Sequence, residues 1–246
     1  MRFFAYLPSA LFFLIFGLAL LIFDVLQRFA YLIGYQAHHR TVVLFNGFCL
    51  ALQTLLLGTR FKVEGRANIA PKKPIIFVAN HQSMWDIPPL IWYLRSWHPK
   101  FISKKALGKG IPTISFNLKY GGSVLIDRND SEQAQKTIKK VAKYISAHNR
   151  SVVIFPEGTR SKTGILKPFK RKGLDVLLEF APEAQIIPLR ITNSWKLQKY
   201  GSFPLGLGVK FKVDVLPEIK RTTNAEVFHE SLYALFKTKT TAAEGS

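Results

Sequence analysis

The residues with the clearest chemical potential are a histidine and an aspartate five positions apart, His81 and Asp86. They follow an apolar segment, 75–79, that has the length of a buried strand. Side chains at this spacing lie about 140° apart around a regular helix, so the pair can meet only if His81 lies in a loop and Asp86 in the first helical turn. Asp86 would then accept a hydrogen bond from one imidazole nitrogen and leave the other free to take a proton from an alcohol. The sequence therefore predicts a general base with its orienting carboxylate.

An isolated pair with this spacing also fits a helix start in which both side chains are ordinary caps. The sequence lacks Gly-x-Ser-x-Gly, His-Glu-x-x-His and the glycine-rich phosphate loop that ends in Lys-Ser or Lys-Thr, so we expect a substrate hydroxyl to attack directly. No cluster of His, Cys and acidic residues has metal-ligand spacing, so neither a metal nor a cofactor is expected. Cys49 lies in an apolar run, which is typical of a packed side chain.

A second group of residues has the chemistry of a phosphate site. Residues 155–161, Phe-Pro-Glu-Gly-Thr-Arg-Ser, leave an apolar strand through a glycine turn, where backbone N–H groups can point at an anion and Arg160 can bind phosphate with two hydrogen bonds. Arg128 ends another predicted strand, and Lys104 and Lys105 follow a third. Taken alone, each of these groups fits an ordinary solvated charge at a strand end. Three such groups in one sheet could together converge on a doubly charged phosphate.

The elements that must position these groups alternate between strand-like and helix-like segments. Short continuous apolar runs favour strands buried on both faces. Strands are predicted at 75–78, 123–126, 152–155, 186–189 and 209–215, and helices at 131–147, 169–180 and 224–236. Asp130 or Ser131 can cap the first of these helices. The predicted fold class is therefore α/β, with a mixed central sheet flanked by helices and preceded by an N-terminal two-helix membrane motif.

The N-terminal segment 3–23 carries no charge and is long enough to cross a bilayer core of about 30 Å. It exceeds the ~7–15 residues of a signal peptide's apolar region, so an uncleaved anchor is favoured. A second apolar run, 41–58, completes a helical pair that either crosses the bilayer twice or dips into one leaflet; a pair buried in a large core is the soluble alternative. Basic residues just beyond it favour a cytoplasmic body. The chain is thus divided into an anchor, 1–60, and a catalytic domain, 61–246.

The composition combines 48% hydrophobic residues with a net charge of +20 in 246 residues. Nearly all of the positive charge lies beyond residue 60, which suggests an anionic partner such as nucleic acid, an anionic membrane surface or a phosphorylated or CoA-type substrate. No nucleic-acid recognition module is present and the anchor argues against one, so nucleic acid is not expected as a partner. The single cysteine excludes an intramolecular disulfide and favours a reducing compartment.

Four short blocks occur along the chain in a fixed order. Asn-His-x-Ser-x-x-Asp spans 80–86, a strand ending in Asp-Arg reaches 127–128, Phe-Pro-Glu-Gly-Thr-Arg-Ser spans 155–161, and an apolar strand is centred on Pro188. In order and spacing these blocks resemble the 1-acyl-sn-glycerol-3-phosphate acyltransferases of the glycerolipid acyltransferase superfamily. The resemblance covers about 61–215 and extends to the N-terminal apolar pair that is common in bacterial members.

The resemblance implies a role for the matched residues. His81 would be the general base and Asp86 its orienting partner. The residues that would form the site for the acceptor phosphate are Lys105, Arg128, Glu157, Gly158, Thr159 and Arg160. Two positions depart from the family pattern, because Ala106 stands where many members carry an acid and Leu189 replaces a β-branched residue. The first departure leaves the choice between Lys104 and Lys105 open.

The resemblance also implies a reaction. A fatty acyl group would pass from acyl-CoA or acyl-carrier protein to the sn-2 hydroxyl of 1-acylglycerol-3-phosphate (lysophosphatidic acid), which gives phosphatidic acid. The close alternative is another acceptor, such as a lyso-ornithine lipid or a lysophospholipid, and the alternative of another class is a non-catalytic lipid-binding membrane protein. The expected partners are lysophosphatidic acid, the acyl thioester and anionic membrane lipids. The expected location is a bacterial inner membrane, with the catalytic domain facing the cytoplasm.

Overall fold

A computed structural model of the protein describes residues 2–70, 72–127 and 129–237. Its helices are α1 (Tyr6–Ile33), α2 (Tyr35–Leu57), α3 (Ile87–Tyr93), α4 (Ile114–Tyr120), α5 (Ser131–His148), α6 (Lys172–Phe180) and α7 (Ala225–Lys237). Its strands are β1 (Arg60–Glu64), β2 (Ile75–Ala79), β3 (Pro99–Lys104), β4 (Val124–Ile126), β5 (Ser151–Ile154), β6 (Gln185–Thr192) and β7 (Lys210–Val215). Short 3-10 turns occur at Met84–Asp86, Lys105–Gly108 and Ser194–Gln198, among others.

The strands of the described residues form one sheet in the order β1-β7-β6-β2-β5-β3-β4. The strands from β6 to β4 run parallel, whereas β7 is antiparallel to β6 and parallel to β1, so the sheet is mixed. Alternate residues of β2 point to opposite faces. Ile76 and Val78 pack with α5, α6 and α7, while Ile75 and Phe77 pack with α2 and α3. The predicted α/β fold with a mixed, helix-flanked sheet is confirmed.

The predicted strands are all present within a few residues of their expected bounds, but some helices differ. The helix predicted at 169–180 begins only at Lys172, because the Lys170 N–H donates to the Pro156 carbonyl at 2.8 Å and keeps the preceding residues in a loop. Helix α4 was not predicted, and α3 was expected only as a helix that starts near Asp86, without bounds. Both are single short helices without a repeated apolar stripe, and α3 carries two prolines in its first turn, where they are tolerated.

The two N-terminal helices form a hairpin whose turn is Gly34. The φ of this residue is +138°, which favours glycine, and α2 begins immediately after it. At the start of α2, the Tyr35 hydroxyl accepts from Lys100 Nζ at 3.0 Å and lies 2.9 Å from His98 Nδ1, so the turn is attached to the beginning of β3. Both helices are long and apolar enough to cross a membrane.

Helix α1, about 42 Å long by its residue count, has two faces. One face contacts the body along its length: Ser9 Oγ accepts from the Leu205 N–H at 2.9 Å, and the Phe12 ring lies 5.3 Å from that of Trp85. Further along, the Tyr31 ring packs 5.7 Å from Phe116 of α4. The other face carries exposed apolar side chains at helical spacing: Leu11, Leu14, Leu18, Ile22, Val25 and Phe29.

The hairpin and the sheet share one hydrophobic core. Phe12 of α1 and Val42, Leu52 and Leu57 of α2 belong to the same buried cluster as Phe77 of β2. Half of the most apolar part of α2 is buried, in contrast to α1. The division of the chain at residue 60 stays a prediction, and the segment before it is packed onto the body rather than extended away from it.

Candidate active site

The sequence-predicted residues follow neighbouring strands of the sheet. Strands β2, β5, β3 and β4 are parallel and adjacent in that order, so their carboxyl ends lie at one edge. His81 follows β2, Glu157 to Arg160 follow β5, and Lys105 follows β3. This is the edge at which open α/β sheets bind their ligands. Arg128, which follows β4, lies outside the described residues.

His81 and Asp86 meet as the spacing predicts. His81 lies in the loop after β2, and its Nδ1 is 2.8 Å from Asp86 Oδ2 in the turn Met84–Asp86. The Asp86 side chain is fully buried and that of His81 is 15% exposed. The imidazole stacks on the Phe155 ring, with 4.1 Å between centroids and 22° between planes. Because Asp86 occupies Nδ1, the remaining nitrogen for a substrate is Nε2.

Asp86 also takes part in capping the turn Met84–Asp86. The motif is therefore both a helix start and a histidine–carboxylate pair. Asp86 Oδ2 accepts from the backbone N–H groups of Gln82 at 2.7 Å and Ser83 at 3.0 Å, and Ser83 Oγ accepts from the Trp85 N–H at 3.0 Å. One carboxylate oxygen thus receives three hydrogen bonds, two of them from backbone that cannot rotate away. This arrangement fixes Oδ2 as an acceptor opposite His81 and favours a proton on Nδ1.

Glu157 joins the two sequence blocks that carry the site. Its Oε1 accepts from the His81 N–H at 2.7 Å and its Oε2 from the Lys167 N–H at 3.0 Å. The Ser161 N–H in turn donates to the His81 carbonyl at 2.7 Å. Burial raises the pKa of Glu157, and the two backbone donors partly oppose that shift. Both carboxylate oxygens are engaged, so the structure places Glu157 as the link that holds the His81 loop against residues 155–161.

Gly158, Thr159 and Arg160 form the exposed part of the same loop. Gly158 has a φ of +69°, and a Cβ there would lie 3.3 Å from the Lys170 side chain, so the turn needs glycine. The Thr159 hydroxyl accepts from Lys167 Nζ at 3.1 Å, and the Arg160 carbonyl accepts from the same amine at 2.9 Å. The Arg160 guanidinium is exposed and has no hydrogen bond or ion pair with the described residues. It is therefore available to an anion.

Lys105 opens the turn Lys105–Gly108 at the end of β3, and its side chain is exposed. Lys104 is the last residue of that strand and is exposed as well. The structure therefore places both lysines at the predicted edge, and the choice between them stays a prediction.

Sequence reasoning gave no role to several residues that brace the loop. Asn80 donates from Nδ2 to the Ile191 carbonyl at 2.9 Å and accepts from the Ile191 N–H at 2.7 Å, which ties the end of β2 to β6. The Gln82 side chain accepts from Ser194 Oγ at 3.3 Å. Lys167, with its two contacts to the 155–161 loop, was also missed. Asn80 is the first residue of the Asn-His-x-Ser-x-x-Asp block and directly follows a buried strand, but neither sign showed its bonds to β6, and no sign pointed to Lys167.

The fold and the site define an α/β protein with a buried histidine–carboxylate pair and exposed basic groups at the ligand-binding edge of its sheet. The sequence profile of the Acyltransferase family matches residues 60–192, more than half of the chain. The chain belongs to this acyltransferase family.

Similar proteins carry a more specific description. The chain is 35% identical over 158 residues to the 1-acyl-sn-glycerol-3-phosphate acyltransferase of Saccharomyces cerevisiae, which covers 62% of this chain and 50% of that one. It is 37% identical over 134 residues to the protein of that description from Helicobacter pylori, which covers 53% and 52% of the two chains. The chain therefore spans about half the length of these relatives.

A solved structure extends the likeness to nearly the whole chain. The crystal structure of the 1-acyl-sn-glycerophosphate (LPA) acyltransferase from Thermotoga maritima has a TM-score of 0.79 at 22% identity and covers 97% of this chain and 95% of that one. At this identity the likeness concerns the fold, and it includes the part of the chain that forms the N-terminal hairpin.

Proposed function

We propose that the protein transfers a fatty acyl group from an acyl thioester to the sn-2 hydroxyl of 1-acylglycerol-3-phosphate, which gives phosphatidic acid. The observation that carries the proposal is the bond between the His81 loop and the 155–161 loop through Glu157. It supports the proposal because it holds the loop of His81 and the loop of the exposed Arg160 together as one unit. The relatives described as 1-acyl-sn-glycerol-3-phosphate acyltransferases support the choice of acceptor.

The reaction follows from the position of the base. The acceptor phosphate binds to Arg160, Arg128 and Lys105, which fixes the free hydroxyl near Nε2 of His81. Nε2 takes the hydroxyl proton as the oxygen attacks the thioester carbonyl, and the C–O bond forms. When the tetrahedral intermediate collapses, the C–S bond breaks and the imidazolium gives its proton to the departing thiolate. General base catalysis of this kind contributes a factor of about 10²–10⁴.

Asp86 stabilises the imidazolium in the intermediate. It lies on the Nδ1 side, 2.8 Å from His81, and because its side chain is fully buried, solvent screens its charge only weakly. No serine or cysteine is needed as a nucleophile, because the substrate supplies the attacking oxygen.

The hairpin supports a location at a membrane. The exposed apolar stripe of α1 would face the acyl chains, and the contacts of α1 with the body along its length favour insertion into one leaflet over two crossings. The net charge of +20 would attract anionic lipids. A bacterial inner membrane, with the body on the cytoplasmic side, is the location that we propose.

The experiment is transfer of labelled oleoyl or palmitoyl from CoA and from acyl-carrier protein to a panel of acceptors by the purified protein in detergent. We expect product from lysophosphatidic acid, and the two donor rates identify the thioester. A phosphate-free 1-acylglycerol should react much more slowly, because it lacks the group that Arg160 binds. Faster transfer to a lyso-ornithine lipid or a lysophospholipid would identify that lipid as the acceptor in place of lysophosphatidic acid. Absence of transfer to every acceptor by folded protein would favour a non-catalytic lipid-binding role.

A further inference from the structure

Thr113, in the loop that begins at Lys105, has a backbone conformation that threonine disfavours. Thr113 has a φ of +63° and a ψ of −54°, and the Ile114 N–H donates to the Pro112 carbonyl across it at 2.6 Å. This is the form of γ-turn that is rare and strained in proteins, and a β-branched residue at positive φ is an outlier. Strain of this kind persists only where the surrounding contacts enforce it.

Besides the Asn117 N–H of α4, which donates to the Thr113 carbonyl at 3.0 Å, the contacts that hold Thr113 come from helix α1. The Thr113 N–H donates to Asp24 Oδ1 at 2.6 Å, Thr113 Oγ1 donates to the Leu20 carbonyl at 2.8 Å, and the Thr113 carbonyl accepts from Gln27 Nε2 at 2.7 Å. Leu20, Asp24 and Gln27 share one face of α1. Thr113 is 3% exposed and Gln27 is 1% exposed, so water does not compete for these bonds. We call Leu20, Asp24 and Gln27, the three residues of α1 that bind Thr113, the α1 clamp.

A second set of hydrogen bonds connects the α1 clamp to Lys105. Ser115 Oγ accepts from the Ile111 N–H at 3.0 Å and donates to the Leu107 carbonyl at 2.9 Å. Leu107 belongs to the turn Lys105–Gly108. The turn is thus bonded to the residues that flank Thr113, and its position follows from that of the clamp.

We propose that α1 is a positioning element of the acceptor site: the α1 clamp holds Thr113 in its strained turn and thereby keeps Lys105 at the edge of the sheet where the acceptor phosphate binds. The inference rests on the function proposed above and deepens it. The opposite face of the same helical segment exposes Leu18, Ile22 and Val25. The helix that meets the acyl chains therefore also shapes the site that recognises the acceptor headgroup.

The first test compares two buried glutamines of the hairpin. Gln27→Leu removes the side-chain donor to the Thr113 carbonyl and leaves only the Asn117 N–H at 3.0 Å. Gln53→Leu removes an amide that is fully buried in α2 and has no hydrogen-bond partner among the described residues. We expect Gln27→Leu to raise the acceptor KM about tenfold, as loss of one buried hydrogen bond does. The donor KM and kcat should stay within about twofold of wild type. Gln53→Leu should change none of the three.

A double variant tests whether Lys105 is the residue that the α1 clamp positions. If the α1 clamp acts through Lys105, Gln27→Leu has no further effect on the acceptor KM once Lys105→Ala is present, because coupled changes do not add. Two independent increases that multiply in the double variant would overturn the link between the clamp and Lys105.

Amide hydrogen exchange separates this inference from the proposed function. Residues 105–120 should exchange faster in Gln27→Leu than in wild type or Gln53→Leu. Unchanged exchange in Gln27→Leu overturns the clamp whatever the activity. Faster exchange with an unchanged acceptor KM overturns the positioning role. If the wild-type protein transfers no acyl group to lysophosphatidic acid, the proposed function and the positioning role fail together, and the exchange data still decide whether α1 holds the loop.

Discussion

The molecule contains two histidine–aspartate pairs that are nearly identical in length and different in setting. His81 Nδ1 lies 2.8 Å from Asp86 Oδ2 at the edge of the sheet, and His229 Nε2 lies 2.6 Å from Asp175 Oδ1 between α7 and α6. Both histidines are largely buried. The aspartates differ, since the side chain of Asp86 is fully buried and that of Asp175 is 50% exposed.

The difference between the pairs lies in what else holds them in place. Asp86 Oδ2 also accepts from two backbone N–H groups, and the His81 backbone is bonded to Glu157 and Ser161. The Asp175 side chain has only its bond to His229 among the described residues. The first pair is therefore fixed on both sides and lies at a ligand-binding edge, while the second joins two helices. The two pairs share a short distance and differ in their surroundings, and it is on the surroundings that we base the proposed role of His81 as the general base.

The largest effect expected from this comparison is that of removing each histidine. His81→Ala should reduce kcat/KM for acyl transfer by about 10³-fold or more, because the proposed general base is lost. His229→Ala, measured on folded protein, should keep kcat/KM within about twofold of wild type. Labelled acyl transfer to lysophosphatidic acid measures both. Comparable losses in the two variants would show that the setting of the pair does not decide its role.

Replacement of the aspartates should give a smaller effect, and the structure predicts its size. In Asp86→Asn the amide oxygen can replace Oδ2 and keep its three hydrogen bonds, so the tautomer of His81 is preserved. The new NH₂ then lies where Asp86 Oδ1 is now buried without a partner among the described residues. Only the negative charge that stabilises the imidazolium is lost, so kcat should fall about 10²-fold rather than the ~10⁴-fold that a wrong tautomer causes.

Single-turnover transfer by Asp86→Asn, Asp86→Ala and Asp175→Asn checks this prediction. Asp86→Ala removes the acceptor as well as the charge and should be worse than Asp86→Asn, and Asp175→Asn should match wild type. An Asp86→Asn variant as inactive as His81→Ala would contradict the view that the backbone donors fix the tautomer.

A still smaller effect is expected at Glu157, which holds the His81 loop and does not act on the proton. In Glu157→Gln the single amide oxygen can accept from only one of the two backbone donors, His81 N–H or Lys167 N–H, and the NH₂ faces the other. We expect kcat to fall about tenfold, the cost of one lost hydrogen bond to a charged group. Glu183→Gln, at an exposed site, is the matched control. A Glu157→Gln variant with wild-type kcat would show that the link between the loops does not position His81.

The local parts of the site could be predicted from sequence and the long-range parts could not. His81 and Asp86 are five residues apart, so the geometry of one loop and one turn decides whether they meet. The bond between His81 and Glu157 joins residues 76 positions apart, and that between Thr113 and Leu20 spans 93. Apolar periodicity shows which face of an element is buried, but it does not show which loop will lie opposite a given polar side chain.

The same limit explains the outcomes for the fold. The continuous apolar runs of β2 and β5 predicted buried strands, because a strand covered on both faces needs few polar residues. The 3–23 run predicted an apolar N-terminal helix. It gave no sign that Asp24 and Gln27, just beyond the run, would be packed against Thr113 as part of the same helix. A polar residue in an apolar helix indicates a hydrogen-bonded contact, but only the packed structure shows which residue is its partner.

The smallest effect expected is the contribution of the second pair to stability. Asp175→Asn keeps a side chain of the same size beside His229 and removes the charge, and a half-exposed contact of this kind contributes about 1 kcal/mol or less. We expect the Tm in detergent to fall by about 2–4 °C, with acyl transfer unchanged. Glu179→Gln removes a charge from the exposed side of the same helix without touching a histidine, and should leave the Tm within about 1 °C of wild type. Equal shifts in the two variants would mean that the His229–Asp175 contact adds nothing beyond the charge of α6, and the comparison between the pairs would then rest on His81 and Asp86 alone.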